Sequence, residues 1–229
     1  MYDNRTVLAV IPARGGSSRV PGKNLKSLGG RPLIDHTAML AGRVTEIDLT
    51  VVSTDDTKIA DRAKSFGLRV IERPPALATT EARTETALLH ALDVLADERQ
   101  TFDYVVVLEP TTPLRTPETV SRCIRRLIDE GGESLLTVSP RHAIPGRLQD
   151  GIFQPMIENA PRRSQDREPL YDEAGVAYVC RVAHLRETGS LVASRWLAEP
   201  VSPREAMDIN EPIDFIIAQA LIDGAENRT

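Results

Sequence analysis

Residues 6–24 read TVLAVIPARGGSSRVPGKN, a short apolar run followed at once by a glycine-rich, basic loop. The run Thr6–Pro12 is short for a helix and rich in β-branched and aliphatic side chains. A nearly continuous apolar run of this kind, ended by Pro and Gly, indicates a strand that is buried on both faces of a sheet. The loop therefore begins at the carboxyl end of a buried strand.

The loop after this strand carries groups that suit phosphate. Gly15 and Gly16 let backbone amides approach an anion closely, and Ser17 offers a hydroxyl. Arg14 supplies a planar fork for phosphate oxygens and Lys23 a point charge. The loop lacks both GxGxxG and a Gly-Lys-Ser/Thr triplet before a helix, which disfavours a dehydrogenase and a P-loop ATPase. The alternative interpretation is a solvated turn that is basic by chance.

After this loop, short apolar runs alternate with helical segments. The further predicted strands are Asp48–Thr54, Phe102–Glu109 and Ser134–Ser139, and the predicted helices are Pro32–Arg43, Asp56–Phe66, Thr84–Ala96 and Pro117–Glu130. This alternation predicts an α/β fold, with a parallel sheet covered by helices on both faces. Such sheets bind ligands at the carboxyl ends of their strands.

The pattern changes after Pro140. Residues 141–170 contain several prolines, paired arginines and little periodicity apart from a short predicted strand at Gly151–Ile157. We interpret this segment as an excursion, either a dimerisation arm or a lid, within a single domain of residues 1–229. Val176–Val182 then predicts a returning strand, and Glu211–Ile222 a closing amphipathic helix.

Composition excludes several classes of partner. The net charge of -5 comes from 28 basic and 33 acidic residues that are interspersed, without the basic stripe of a nucleic-acid-binding protein. No apolar stretch approaches the roughly 20 residues that span a bilayer, and Met1–Arg5 does not start a signal peptide. Cys123 and Cys180 are isolated, which argues against a disulfide framework or a zinc site. We therefore expect a cytoplasmic protein with no nucleic-acid or membrane partner.

The loop motif IPARGGSSRVPGKN at residues 11–24 resembles the first motif of the CMP-sialic acid synthetase (acylneuraminate cytidylyltransferase) family. Similar segments follow in family order, namely VVSTDD at 51–56, Arg73-Pro74, EPTTPLR at 109–115 and the region 165–178. The resemblance implies a Rossmann-like, mostly parallel mixed sheet with helices on both faces. It also implies that the excursion completes a homodimer.

The same resemblance implies a CTP-dependent cytidylyltransferase. It would transfer CMP to an acidic sugar of the nonulosonic type, or to another small anionic acceptor such as a phosphonate, and release pyrophosphate with the help of Mg²⁺. The implied nucleotide contacts are Ala13, Arg14, Gly15, Gly16, Ser17, Lys23, Asn24, Arg73 and Thr84. The implied catalytic residues are Arg14, Lys23 and Asp208, the metal ligands Asp208 and Asn210, and the acceptor contacts Glu109, Arg163, Gln165 and Tyr178.

Two departures from the family pattern bear on this chemistry. Asn210 stands where the family usually has a second aspartate, so we expect a weaker metal site that keeps a neutral oxygen ligand. Glu109 replaces a glutamine that is associated with the acceptor pocket. A carboxylate accepts hydrogen bonds but cannot donate them, so Glu109 should repel a sugar carboxylate and favour an amine or hydroxyl. Alternatively, Glu109 is turned away or paired with Arg115.

Other readings of these residues stay open. A serine of the family that contacts the nucleotide is replaced by Arg83 or Thr84, according to the alignment, and an asparagine near the sugar by Ala174. Asp208 could be an ordinary helix-capping or surface carboxylate. At the level of the whole chain, the alternatives are transfer of another nucleotide and a catalytically weak paralogue that binds nucleotide as a regulator or scaffold.

Overall fold

A computed structural model describes residues 1–17 and 19–226. The strands are, in chain order, β1 Val7–Pro12, β2 Ser27–Leu28, β3 Arg31–Pro32, β4 Leu49–Thr54, β5 Arg69–Glu72, β6 Tyr104–Val107, β7 Ser134–Arg141, β8 Gly146–Gln149, β9 Ile152–Pro155, β10 Leu170–Arg181 and β11 Leu197–Pro200. The helices are α1 Leu33–Ala41, α2 Thr57–Ser65, α3 Thr84–Asp97, α4 Pro117–Glu130, α5 Val182–Thr188 and α6 Pro212–Glu226.

Seven of these strands form the main sheet, in the order β11-β7-β10-β6-β1-β4-β5. β1 pairs in parallel with β4 and β6, β5 is parallel to β4, and β11 is parallel to β7. β10 is antiparallel to both of its neighbours, β6 and β7. The predicted Rossmann-like, mostly parallel mixed sheet is therefore confirmed.

Both faces of β1 are buried, as its continuous apolar run predicts. Val7, Ala9 and Ile11 pack against a core built with α1, α2 and α4, while Leu8 and Val10 face a second core built with α3 and α5. Full burial of a large aliphatic side chain contributes about 1.5–3 kcal/mol. This double burial holds β1 in place and so positions the loop that follows it.

Several elements differ from the sequence-based expectation. β10 begins at Leu170, earlier than the predicted Val176, because its pairing with β7 continues across an irregularity between Ala174 and Tyr178. The short strands β5 and β11 and the helix α5 were not predicted, and the predicted strand Gly151–Ile157 is β9, which forms a hairpin with β8. The arm of residues 141–170 therefore contains an ordered two-stranded hairpin.

Across residues 1–17 and 19–226, no helix has the length and apolar character needed to cross a bilayer.

Candidate active site

A cleft opens at the carboxyl ends of β1, β5 and β6, where a sheet of this kind is expected to bind its ligand. It encloses about 350 Å³ between the loop after β1, residues 79–84, the segment after β6, and residues 208 and 210. Nine of the predicted site residues line it together: Arg14, Ser17, Lys23, Asn24, Arg73, Thr84, Glu109, Asp208 and Asn210. This arrangement favours the phosphate-binding interpretation of the loop over a solvated turn.

Gly15 and Gly16 have different surroundings in this loop. The Gly15 amide donates to the Asp55 carboxylate at 2.9 Å, and a Cβ added at Gly15 would lie 2.9 Å from the Cβ of Asp56. Around Gly16 there is open space, with no atom within 4 Å of an added Cβ. The close approach of Asp56, just before α2, therefore accounts for glycine at position 15, a reason that the sequence did not reveal.

Ala13 and Asn24 fix the two ends of the loop. The amide of the buried Ala13 donates to the Ser53 carbonyl at 3.0 Å, which extends the contact between β1 and β4. The buried Asn24 side chain donates from Nδ2 to the Arg14 carbonyl at 3.0 Å. Both residues shape the loop, whereas Ser17 is half-buried and lines the cleft.

Positive charge dominates the cleft. Its cationic side chains are Arg14, Arg19, Lys23, Arg73 and Arg83. Lys23 Nζ donates to the Ile209 carbonyl at 2.8 Å, and burial lowers the pKa of this ammonium group. Arg73 is buried and donates to the Ser53 hydroxyl at 3.1 Å and carbonyl at 2.7 Å, and burial lowers its pKa also. A concave site with this charge attracts polyanions.

Glu109 and Asp208 are the acidic side chains of the cleft. Glu109 faces into it at the end of β6, and burial raises the pKa of its carboxyl, an effect that the nearby Arg115 opposes. Arg115 is itself buried and donates to the backbone carbonyls of Thr112, at 2.8 Å, and of Glu109. Arg115 therefore holds the segment after β6, and the carboxylate of Glu109 is presented to the cleft.

Asp208 is not the cap of the helix that follows it. The Asp214 carboxylate, in the first turn of α6, reaches back and accepts from the amides of the two preceding residues, Asn210 and Glu211, at 2.8 Å each. Asp208 is exposed and lines the cleft. Asp208 accepts from the Asn210 side chain and not from a described backbone amide of α6, which argues against the helix-capping alternative. Its exposure is compatible with a surface carboxylate.

The predicted metal ligands are joined to the loop. Asn210 Oδ1 accepts from Arg19 Nη2 at 2.8 Å, and Asn210 Nδ2 donates to Asp208 Oδ2. Within the described residues, no group of three or more His, Cys, Asp or Glu side chains is arranged to hold a metal. Mg²⁺ is often held by one or two carboxylates together with substrate phosphates. Asp208 fits such a site, whereas the side-chain oxygen of Asn210 already accepts from Arg19.

Three of the predicted acceptor contacts lie outside the lining of the cleft as described. Arg163 and Gln165 are exposed on the arm, where Gln165 lines a separate cavity of about 250 Å³ and Arg163 lies 3.6 Å from Asp166. Tyr178 is half-buried in β10 and donates to Glu173 at 2.8 Å, and burial raises the pKa of the phenol. A single chain thus brings six of the nine predicted nucleotide contacts together with only Glu109 of the predicted acceptor set. The other three, Ala13, Gly15 and Gly16, lie outside the lining.

Arg19 and Arg83 line the cleft although the sequence assigned neither of them a definite contact. Arg83 and Thr84 were alternatives for one nucleotide contact, and both are present in the lining. Arg19 is a third cation in the loop between Arg14 and Lys23, so the charge pattern was the signal that could have identified it.

Comparisons with known proteins show the family of this chain. The sequence model of the cytidylyltransferase family matches residues 8–149. The chain is 33% identical over 233 residues to CMP-N,N'-diacetyllegionaminic acid synthase of Legionella pneumophila, across 95% of this chain and 96% of that protein. It is 27% identical over 177 residues to pseudaminic acid cytidylyltransferase of Campylobacter jejuni, across 75% and 76% of the two chains.

Among solved structures, CMP:2-keto-3-deoxy-manno-octonic acid synthetase complexed with CTP has the same fold, with a TM-score of 0.71 and 20% identity over 96% of this chain and 99% of that one. The 4-diphosphocytidyl-2C-methyl-D-erythritol synthase of Anaerococcus prevotii also shares it, with a TM-score of 0.69 and 16% identity over 96% and 97%. The chain therefore belongs to the cytidylyltransferases, and among them to the CMP-sialic acid synthetase family that its motifs resemble.

Proposed function

We propose that this protein transfers CMP from CTP to an acidic sugar of the nonulosonic type, or to a related small anionic acceptor, and releases pyrophosphate. The observation that supports this most is the single cleft that unites the loop cations with Asp208. The names of two relatives, for legionaminic and pseudaminic acids, support an acceptor of this class.

In this proposal the loop after β1 holds the triphosphate. Arg14 and Lys23 bind phosphate oxygens by charge-assisted hydrogen bonds, and Ser17 adds a hydroxyl donor. Arg73 contacts the nucleotide from the end of β5, where its two hydrogen bonds to Ser53 fix the guanidinium. Fixed donors of this kind need little reorganisation when charge develops, which is how they lower a barrier.

The reaction is a direct displacement with no covalent enzyme intermediate. An acceptor hydroxyl oxygen bonds to the α-phosphorus and its proton is released to water. The bond from that phosphorus to the bridging oxygen breaks, and the electron pair leaves with pyrophosphate. Both reactants are anionic, so the cations must offset repulsion and hold the two in line. Mg²⁺ held by Asp208 and the phosphates would neutralise part of the leaving-group charge.

Glu109 is proposed to select the acceptor. Its carboxylate faces the cleft, so it repels a carboxylate placed against it and accepts from a hydroxyl or an amine. The acid group of the sugar would then be bound elsewhere. Arg163 and Gln165 on the arm are candidates for this contact, with Tyr178 near the sugar.

We propose that the arm makes a homodimer. Every residue of β8 and β9 is exposed, including Leu148 at 76% and Phe153 at 57%. An isolated two-stranded hairpin is marginally stable in water, so a second copy of the chain that packs on it would stabilise it. Such a partner would also receive Arg163 and Gln165 from the arm into its own cleft.

The proposed compartment is the cytoplasm. Cys123 and Cys180 are both free and buried, and burial raises the pKa of each thiol to about 12, so neither is a reactive thiolate at neutral pH. Neither cysteine forms a disulfide, so neither requires an oxidising compartment.

A competition binding experiment tests the choice of nucleotide. CTP, ATP, GTP and UTP are titrated against a fluorescent CTP analogue with Mg²⁺ present. We expect CTP to displace the analogue at a concentration at least about tenfold lower than the others. Equal displacement, or a preference for GTP or UTP, would favour transfer of a different nucleotide.

A further inference from the structure

The side chain of Asn210 joins two charged groups of the cleft. Its Oδ1 accepts from Arg19 Nη2 at 2.8 Å, and its Nδ2 donates to Asp208 Oδ2. Arg19 belongs to the loop after β1, and 191 residues separate it from Asn210 in the chain. One amide group thus connects the phosphate-binding loop to the carboxylate proposed for the metal.

The two partners fix the orientation of this amide. A guanidinium can only donate hydrogen bonds and an ionised carboxylate can only accept them, so the oxygen of Asn210 must face Arg19 and its NH₂ must face Asp208. An aspartate at position 210 could accept from Arg19, but it would set a second negative charge against Asp208. The amide of Asn210 accepts from Arg19 and donates to Asp208, which gives a physical reason for asparagine where the family pattern has aspartate.

The backbone around Asn210 is held by other contacts. Its own amide donates to Asp214 at 2.8 Å, and the Ile209 amide donates to the Thr111 carbonyl at 2.8 Å. Truncation of the Asn210 side chain should therefore leave the 208–210 segment in place. The side chain is free to have a role that is separate from folding.

We propose that Asn210 is a positioning residue that, anchored by its bond to Asp208, keeps the loop cation Arg19 oriented before the nucleotide arrives. The inference rests on the proposed function, since it assigns Arg19 to the triphosphate of the same site. In this role Asn210 acts through its two neighbours and does not ligate Mg²⁺. Asp208 is then the one carboxylate of the 208–210 segment that serves the metal.

A double-mutant cycle on metal-free binding separates this role from metal ligation. CTP affinity is measured by calorimetry in EDTA for the wild type, Arg19→Ala, Asn210→Ala and the double variant, with Gln100→Ala as a control that removes an exposed amide far from the cleft. The Mg²⁺ concentration for half-maximal turnover is measured on the same proteins. Thermal unfolding checks that each variant is folded.

If Asn210 positions Arg19, each single variant weakens metal-free CTP binding by about three- to tenfold, which is the range for a charge-assisted hydrogen bond in a partly exposed site. The double variant is then no more than about twofold weaker than either single variant, because both remove the same unit. Gln100→Ala keeps wild-type affinity. The Mg²⁺ concentration for half-maximal turnover of Asn210→Ala stays near the wild-type value.

Wild-type affinity of Asn210→Ala in EDTA, with a raised Mg²⁺ requirement, would overturn the proposal and make Asn210 a metal ligand. The proposal would also be overturned if the fold loss of CTP affinity in the double variant equalled the product of the two single losses. That result would show that the two residues act independently. Failure of the wild type to bind CTP at all, with or without Mg²⁺, is a distinct result that would overturn the proposed function together with this inference.

Discussion

Lys23 Nζ donates a hydrogen bond of 2.8 Å to the backbone carbonyl of Ile209, which lies 186 residues further along the chain. The contact joins the loop after β1 to the segment that carries Asp208. Lys23 also lines the cleft, so the ammonium group that we propose for phosphate also holds the opposite wall. The cleft is thus built by parts of the chain that are distant in sequence.

Replacement of the two loop cations should separate these roles. We expect both Arg14→Ala and Lys23→Ala to weaken CTP binding by at least about tenfold, since each removes a charge-assisted contact with phosphate. Lys23→Ala should also lower the free energy of unfolding by about 1–2 kcal/mol, because it loses the bond to Ile209. Arg14→Ala should lower it by less, about 0.5 kcal/mol, because the bond from Arg14 to the Thr79 carbonyl is exposed to solvent. Calorimetric titration and urea unfolding measure the two effects; unfolding of Arg14→Ala would mean that its role is structural.

Glu109→Gln should stabilise the ligand-free protein in a pH-dependent way. Burial raises the pKa of Glu109 in the folded state, so its contribution to stability is fully present below the unfolded pKa of about 4.3 and is lost as the pH rises through the folded value. The variant should therefore melt a few degrees above the wild type near pH 8 and by a smaller margin near pH 4. Thermal unfolding across this range checks it, with exposed Glu187→Gln as the control. A margin that grows toward low pH would contradict the burial argument.

Arg62→Ala should destabilise the fold by leaving a buried carboxylate without its partner. Arg62 Nε donates at 2.8 Å to Asp35, whose side chain is 1% exposed. Breaking a buried pair costs about 3–5 kcal/mol, and we expect about 2 kcal/mol here because the Arg62 side chain is 40% exposed. Urea unfolding measures the change. Lys64→Ala on the same helix is the control, and an equal loss in both variants would argue against the pair.

The exposed hairpin should set the oligomeric state. Leu148→Glu places a charge in the apolar surface formed with Phe153, its partner across the hairpin, so the mass measured by light scattering should fall from that of a dimer to that of a monomer. Because the arm contributes little to the core of its own chain, the far-ultraviolet circular dichroism should be unchanged. A wild type that is already monomeric at micromolar concentration would contradict the dimer.

A mixing experiment distinguishes an arm that serves the partner from a lid on its own cleft. The Arg14→Ala variant has a defective cleft and an intact arm. A second variant, with Arg163→Ala and Gln165→Ala, has an intact cleft and a defective arm. If the arm reaches the partner, half of the randomly mixed dimers contain one complete site, so turnover should recover to about a quarter of the wild-type value. No recovery, with heterodimers shown to form, would support the lid.

The parts of the fold that the sequence predicted depend on local patterns. β1 and β4 have continuous apolar runs because both of their faces are buried, and the glycine-rich loop is contiguous in the chain. β10 was harder to predict because its antiparallel course depends on pairing with β6 and β7 and includes an irregularity before Tyr178. The short strand β5 has too few residues for its periodicity to be read.

Within the site, the sequence identified side chains but not their partners. The roles of Gly15, which must let Asp56 approach, and of Asn210, which bridges Arg19 and Asp208, depend on contacts between distant segments. The spacing of apolar residues along the sequence carries no information on contacts between distant segments. The residue types were nonetheless sufficient to locate the cleft, because phosphate chemistry needs cations and small residues after a strand.

Pyrophosphate release from CTP in the presence of Mg²⁺, measured against a panel of nonulosonic acids and phosphonates with ATP, GTP and UTP as controls, tests the proposed activity most directly. We expect release with CTP and at least one nonulosonic acid, and none above background with the other three nucleotides. Release with another nucleotide in place of CTP, or no release with any acceptor from a protein that binds CTP, would contradict the proposal.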